Sequence, residues 1–167
     1  LLWGARAVLL AAALLHIKTS MELAVENCRA RPQGYRMKRD GETTPAARLI
    51  LVSGLLVLAY LVYHLLHFTF RVTNPDVSHL LDSQGRQSVY AMVVLSFRQP
   101  PIVFAYLAGM TCVCLHLSHG VASAFQTLGL TNERTIALLS WGSRLFACVV
   151  FFGYISIPLA VFFGWIK

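Results

Sequence analysis

Charged residues are scarce in this chain, and their scarcity excludes an ordinary soluble domain. Only 13% of the 167 residues are charged, with seven Asp and Glu against 14 Lys and Arg, about half the charged fraction of an average soluble protein. The acidic residues all fall in predicted loops or near predicted helix ends. No carboxylate is therefore expected in the middle of a membrane span, which disfavours a relay or transport path built on buried acids.

Paired cysteine motifs are also lacking. The four cysteines, Cys28, Cys112, Cys114 and Cys148, show no Cys-x-x-Cys spacing, so a metal site of that type is not expected. Three of them lie in apolar runs. Unreactive free thiols are the simpler interpretation, since thiol chemistry needs an activating environment.

Long apolar runs are what the chain has in abundance, because 57% of its residues are hydrophobic. Runs at about 2–26, 46–70, 101–127 and 135–166 each match or exceed the roughly 20 residues that a helix needs to cross the hydrocarbon core. We therefore predict an all-α membrane protein: a single transmembrane helical bundle, residues 1–167, with four spans.

The net charge of +7 indicates topology better than nucleic-acid binding, because the excess lies beside the membrane. A basic loop at about 29–45, followed by Arg48, is predicted to be cytoplasmic by the positive-inside rule. The turn 129–134 then lies on the same side, and the connection 71–99 lies outside. Within that connection, Ser88–Phe97 is too short to span, so we predict a short interfacial helix there.

Three of the apolar runs contain histidine, at His16, His64 and His116 among other positions, and an intramembrane histidine usually has a function. His116 follows Pro101 by 15 positions, which places it about 22 Å below the start of its helix. His16 follows Leu1 by the same number on a helix running the same way, so these two imidazoles are expected at one level, as one bis-histidine haem requires. His64 belongs nearer the outer surface.

Small residues flank His116 on one predicted helix face: Ala105, Gly109, Cys112, Gly120 and Ser123. They would accommodate a flat haem, although close helix packing explains them equally well. In each His-x-x-His pair only one member can ligate a given iron. His67 and His119 are left for bonds to a carbonyl, a propionate or a quinone, or for an interface, and His79 is assigned no role.

Several motifs together resemble a known family. Leu15-His-Ile17 on a helix, Tyr35-Arg-Met37 in the basic loop, Tyr63-His-Leu-Leu-His-Phe-Thr69, and above all Leu115-His-Leu-Ser-His-Gly120 leading to Phe125-Gln-Thr-Leu-Gly129 look like the cytochrome b membrane subunit of bacterial succinate dehydrogenase or fumarate reductase. The resemblance covers essentially the whole chain.

This resemblance implies five transmembrane helices and two b haems. It assigns His16 and His116 to the inner haem and His64 to the outer haem, whose second ligand comes from the family's first helix. Four spans, and an apolar beginning without methionine, lead us to expect that this first helix is missing from the sequence. Bis-histidine iron has no open position, which suits electron transfer.

The resemblance also implies partners. The chain would anchor a flavoprotein subunit and an iron–sulfur subunit on the cytoplasmic face of the bacterial inner membrane. It would pass electrons to a quinone, expected to be menaquinone, while succinate chemistry stays on the flavoprotein, so no catalytic residue is expected here. A higher oligomer of the complex stays open.

Two other interpretations remain open at the level of sequence. One is a haem-free anchor for the same partners, in which the histidines are structural or Cys112 and His116 share another metal. The other is an unrelated four-helix transporter or channel, for which more intramembrane charge or more broken helices would be expected. Neither nucleic acid nor a soluble substrate is indicated.

Overall fold

A computed structural model describes residues 2–30 and 49–167 of the chain. By internal contacts the chain divides into two compact units, Leu1–Thr44 and Pro45–Lys167, and each is described by itself. Apart from its first two residues, the predicted basic loop 29–45 lies outside the described residues, as does Arg48.

The described residues are helical, with no β-strand among them. In chain order the helices are α1 (Leu2–Ala30), α2 (Ile50–His64) continuing into a π-helical turn (Leu65–Thr69), α3 (Pro75–Ser78), α4 (Val89–Phe97), α5 (Pro100–Thr127) and α6 (Thr135–Phe162). Within the described ranges, α1, α2 with its π-helical turn, α5 and α6 are long and apolar enough to cross a membrane. The predicted all-α membrane fold with four spans is confirmed.

Local sequence signals explain where the long helices begin and end. Pro100 and Pro101 open α5, where a missing N–H costs nothing and the fixed φ suits a helix. Gly129 ends it with φ of 70°, and the N–H of Leu130 donates to the carbonyl of Phe125, as in a glycine-terminated helix. Asn132 then accepts from the N–H groups of Arg134 and Thr135 through Oδ1, which starts α6.

In the second unit, α2, α5 and α6 pack as an up-down-up bundle. The interface between α5 and α6 is the most extensive. It includes buried Ser143 on α6, whose Oγ lies 2.9 Å from the carbonyl oxygens of both Leu117 and Ser118. The 70–99 connection and the end of α6 lie at one end of this unit, which we call the loop end. The turn 128–134 lies at the opposite end, the turn end.

The 70–99 connection is tied to the bundle by α4. Val94 and Phe97 of α4 form a buried cluster with Val103 and Tyr106 of α5 and Val161 of α6. A helix thus occurs where the sequence predicted one, and one of its faces is buried in protein. The expectation that α4 lies at the membrane surface stays a prediction.

Candidate histidine centres

The first histidine centre joins the start of α2 to the second half of α5. Oγ of Ser53 lies 3.1 Å from Nδ1 of His116 and donates to the carbonyl oxygen of Ile50 at 3.0 Å. A serine hydroxyl has one hydrogen. When Ser53 donates that hydrogen to Ile50, its oxygen accepts from the N–H at Nδ1 of His116, and the lone pair of the neutral ring is then on Nε2.

Gly54 lets α2 approach this imidazole closely. A Cβ added to Gly54 would lie 3.2 Å from Cε1 and 3.7 Å from Nδ1 of His116, which is tighter than an ordinary van der Waals contact for the nearer atom. The Ser53-Gly54 pair therefore supplies both a hydrogen-bond acceptor and a close backbone surface for His116.

The small residues on the His116 face of α5 do not share one role. Gly109 is buried, and a Cβ there would lie 2.1 Å from Cδ2 of Tyr60, so this glycine makes room for the Tyr60 ring. A Cβ added to Gly120, one turn beyond His116, would meet no described atom within 4 Å. Close packing accounts for Gly109 but not for Gly120.

The second histidine centre lies at the loop end around the hydroxyl of Tyr106. Its oxygen lies 3.0 Å from Nδ1 of His67 and 3.3 Å from Nδ1 of His64. Nε2 of His67 lies 3.2 Å from Oγ of Ser96, and Nδ2 of Asn74 donates to the same oxygen at 3.3 Å. Five side chains from α2, its π-helical turn, the 70–99 connection, α4 and α5 thus form one hydrogen-bonded chain.

A π-helical turn lies at the second histidine centre. It begins directly after His64 and contains His67, and the N–H of Phe70 donates to the carbonyl of Leu65, five residues earlier. Single π-helical turns inside α-helices occur often at functional sites. Here the turn buries His67 completely while His64 stays half-buried.

Aromatic rings enclose the second centre. The ring of Tyr106 makes edge contacts with Tyr60, Tyr63, Phe68 and Phe97 at centroid distances of 5.0–5.8 Å, and the ring of His67 stacks on Phe68 at 4.1 Å. Such contacts hold the rings in fixed orientations. The hydrogen bonds of His67 are therefore fixed by packing as well as by their partners.

The two centres lie at different levels of the bundle. Ser53, which contacts His116, precedes His64 by 11 positions along α2, which corresponds to about 16 Å of helix rise. The sequence predicted that His64 and His116 would lie at separate depths, and the structure places them at opposite halves of the second unit. Which half faces the cytoplasm stays a prediction.

The other histidines and the cysteines differ in their exposure. His16 is exposed on α1 in the first unit, so its expected pairing with His116 stays a prediction. His119 is half-buried one turn beyond His116, and His79 is exposed in the 70–99 connection. All four cysteines are free thiols, and Cys114 and Cys148 lie within hydrogen-bonding contact. Within residues 2–30 and 49–167, no three His, Cys, Asp or Glu side chains gather as a metal-binding group.

Among the described residues, one buried side-chain polar atom lacks a hydrogen-bond partner, and it is Nε of Arg71. The backbone carbonyl of Arg71 accepts from Oγ of Ser78 at 3.2 Å. Its backbone has a φ of 61°, which is uncommon for a residue with a side chain. A buried guanidinium nitrogen without a partner is a reason to expect an anionic group beside it.

Ser53, Ser96 and Tyr106 are the site residues that sequence reasoning missed. Ser53 and Ser96 each stand in an otherwise apolar run, and a polar residue in such a run is the signal that could have identified them. Their partners could not be predicted, because Ser53 and His116 are 63 positions apart. Tyr106 carried no signal, since tyrosine is common in membrane helices.

Comparison with known proteins gives no identification: no family model, no curated protein and no solved structure matches the chain.

Proposed function

We propose that this chain is the cytochrome b membrane-anchor subunit of a bacterial succinate:quinone oxidoreductase. The proposal starts from the resemblance carried by the histidine motifs and from the multi-pass helical membrane fold. The function is electron transfer between an iron–sulfur partner and a membrane quinone.

The hydrogen bond between Ser53 and His116 is the observation that carries the proposal. Haem iron is bound by a lone pair of the imidazole, and metal-bound histidines usually donate their other N–H to a fixed acceptor, which sets the tautomer and the ring orientation. Ser53 is such an acceptor, because its own hydrogen is donated to Ile50. In that state His116 would bind iron through Nε2.

Other residues fit a b haem as well. His16 would be the second ligand beside His116, and His64 would be a ligand of a second haem at the loop end. Arg71, with its unpartnered buried Nε, would pair with a propionate. Bound haem would supply a one-electron redox centre whose potential depends on its ligands, their hydrogen bonds and burial.

The chain's own residues then have defined tasks. Ser53 fixes the orientation of His116, Gly54 brings α2 against that ring, and the surface at Gly120 leaves room beside it. The ring of Tyr60 on α2 packs against Gly109 on α5. These contacts would hold the imidazole of His116 in one orientation toward a bound haem.

The proposed partners follow from the same resemblance. A flavoprotein subunit would carry the succinate chemistry, and an iron–sulfur subunit would dock at the turn end and the basic loop, on the cytoplasmic face of the bacterial inner membrane. The quinone would be menaquinone. Apolar surface along the four spans contacts lipid.

Haem content per chain tests the proposal. In the detergent-purified complex, a pyridine haemochrome assay should find two b haems per copy of this chain. His116→Ala should remove one of them, because it deletes a ligand, whereas His119→Ala should retain both and serves as the matched control. Full haem content and normal quinone reduction in His116→Ala would refute the assignment.

Absence of haem from the unsubstituted complex would leave the haem-free anchor as the better interpretation. Copurification of a flavoprotein would then separate that anchor from an unrelated transporter.

A further inference from the structure

Arg144 is a charged residue inside a membrane span. Within residues 49–167, the three helices long enough to cross a membrane are α2 with its π-helical turn, α5 and α6. Arg144 on α6 is the only Asp, Glu, Lys or Arg that these three helices contain. Charged residues in such helices are rare, are paired with another group and mark functional sites. Arg144 is therefore expected to have an anionic partner.

The second unit offers no carboxylate to Arg144. The acidic residues within 49–167 are Asp76, Asp82 and Glu133. The first two lie in the 70–99 connection at the loop end, and the ion pair formed within this unit joins Asp82 to Arg86. Glu133 lies beyond the start of α6, which is itself about 14 Å of helix rise from Arg144. The negative charge beside Arg144 therefore comes from outside this unit.

The side chain of Arg144 is directed toward the turn end. Its Nε donates to the carbonyl oxygen of Ser140 at 3.2 Å, one turn nearer the start of α6. A hydrocarbon core of about 30 Å that is centred on α6, which is about 42 Å long, ends about 6 Å from each end of the helix. Ser140 lies about 8 Å from the helix start, so the guanidinium lies about 2 Å inside this boundary. This level adjoins the lipid headgroups, which long basic side chains reach from inside a span.

The surface around Arg144 has the polarity pattern of a phospholipid. Trp141, one turn nearer the turn end, is exposed, and tryptophan is enriched at the level of the headgroups. In the other direction an exposed apolar face of α6 continues into the span, through Leu145, Val149 and Phe152. Spacings of three and four residues place these side chains on one side of the helix. The headgroup and the acyl chains of one lipid would each meet a matching surface.

We propose that Arg144 binds the phosphate of an anionic phospholipid at the turn end. A guanidinium has five N–H groups, so four remain after the bond to Ser140, enough for a paired contact with two phosphate oxygens. An anionic lipid fits better than a zwitterionic one, because no carboxylate of this unit lies beside Arg144 to pair with an ammonium headgroup. Phosphatidylglycerol is such a lipid. This site does not depend on haem and goes beyond the proposed function.

Quenching of Trp141 fluorescence by brominated lipids tests the proposal. Trp3→Phe and Trp165→Phe remove the other tryptophans of the sequence, and the full chain is reconstituted in phosphatidylcholine bilayers. A small proportion of either brominated phosphatidylglycerol or brominated phosphatidylcholine is then included. Phosphatidylglycerol should bind beside Trp141 about fivefold more tightly, the effect of one arginine near an anionic lipid. Equal quenching by the two lipids would overturn the proposal.

Arg144→Gln should abolish this preference, so that the two brominated lipids quench Trp141 equally. Arg134→Gln is the matched control, because it removes the same charge from an exposed residue at the turn end that lies before α6. The preference should be unchanged in this control. Equal losses in the two variants would indicate a general attraction of anionic lipid to basic surface and would contradict a site at Arg144.

Other anions beside Arg144 give different results. If the two lipids quench equally with Arg144 in place, and Arg144→Gln lowers the haem content or releases a partner subunit, the guanidinium pairs with a propionate or a protein carboxylate. Either result would refute the lipid site. The comparison of the two lipids with Arg144 in place decides the proposal even where Arg144→Gln does not fold.

Discussion

Single hydroxyl groups decide the chemistry of both histidine centres. Ser53 has one hydrogen, and when it donates that hydrogen to Ile50, His116 is the donor of the bond that it shares with Ser53. Tyr106 has one hydrogen and two imidazole neighbours, so it can donate to only one of them at a time. The same histidine motif in the sequence thus acquires different properties, because the acceptor that lies behind each ring differs.

Asp82, in the 70–99 connection, is expected to make the stability of its turn depend on pH. The backbone N–H groups of Arg86 and Gln84, with the Arg86 side chain, hold the pKa of the Asp82 carboxyl below its usual range. A lowered pKa in the folded state means that the carboxylate stabilises the turn above its ordinary pKa of about 3.9. That stabilisation is lost as pH falls through the lower folded value.

Hydrogen exchange of the Gln84 and Arg86 amides, corrected for intrinsic rates, checks this prediction. Protection should be constant at neutral pH and should fall in acid, below the ordinary pKa of aspartate. Asp82→Asn should show reduced protection at neutral pH and no such acid transition. A parallel acid loss in that variant would show that another group is responsible.

At the scale of the helices, two local features position residues of the bundle. The π-helical turn after His64 buries His67, and Gly109 lets α5 receive the Tyr60 ring of α2. The sequence predicted the helices themselves, because long apolar runs leave few alternatives. It could not predict the π-helical turn, because the run Leu65–Thr69 is apolar and equally compatible with α-helix. Nor could the sequence show that Gly109 makes room for the ring of Tyr60.

Gly109→Ala tests the packing between α2 and α5. The new methyl group would lie 2.1–2.6 Å from three ring atoms of Tyr60, so the ring or a helix has to move, at a cost of about 1–3 kcal/mol. Thermal unfolding in detergent should therefore show a less stable protein.

Gly153→Ala on α6 is the matched control, since a Cβ there meets no described atom within 4 Å and alanine is the better helix former by about 1 kcal/mol. Its stability should be unchanged or higher. Equal stability of the two variants would contradict the close contact at Gly109.

At the scale of the whole molecule, the second unit separates two chemically different ends. The loop end holds the 70–99 connection and the buried chain around Tyr106, and the turn end holds residues 128–134 and the approach to His116. The sequence predicted this separation from helix lengths and loop positions, because antiparallel spans of similar length place alternate loops on opposite sides. The pairing of His16 on α1 with His116 stays a prediction.

Side-specific labelling tests this arrangement together with its orientation. Ser83→Cys lies at the loop end and Glu133→Cys at the turn end, and both positions are exposed. The positive-inside rule predicts that a membrane-impermeant maleimide labels Ser83→Cys in intact cells and Glu133→Cys only after permeabilisation. Unsubstituted protein gives the background from its four natural cysteines.

Labelling of both positions from one side would contradict the up-down-up bundle. Labelling in the reverse order would contradict only the orientation, since the loop end and the turn end would still lie on opposite sides.

The π-helical turn at Leu65–Thr69 also bears on how this gene can change. Such a turn contains one residue more than the α-helix it interrupts, so it is equivalent to a single-codon insertion that the bundle has absorbed. Deleting that codon would restore a continuous α-helix and rotate the preceding and following segments against each other by about 100°. If the deleted residue is Leu65 or Leu66, His64 and His67 come to lie two positions apart, about 200° around an α-helix, and can no longer face Tyr106 together. We expect selection against length changes in this segment even where side chains such as Leu65 and Leu66 are freely exchanged.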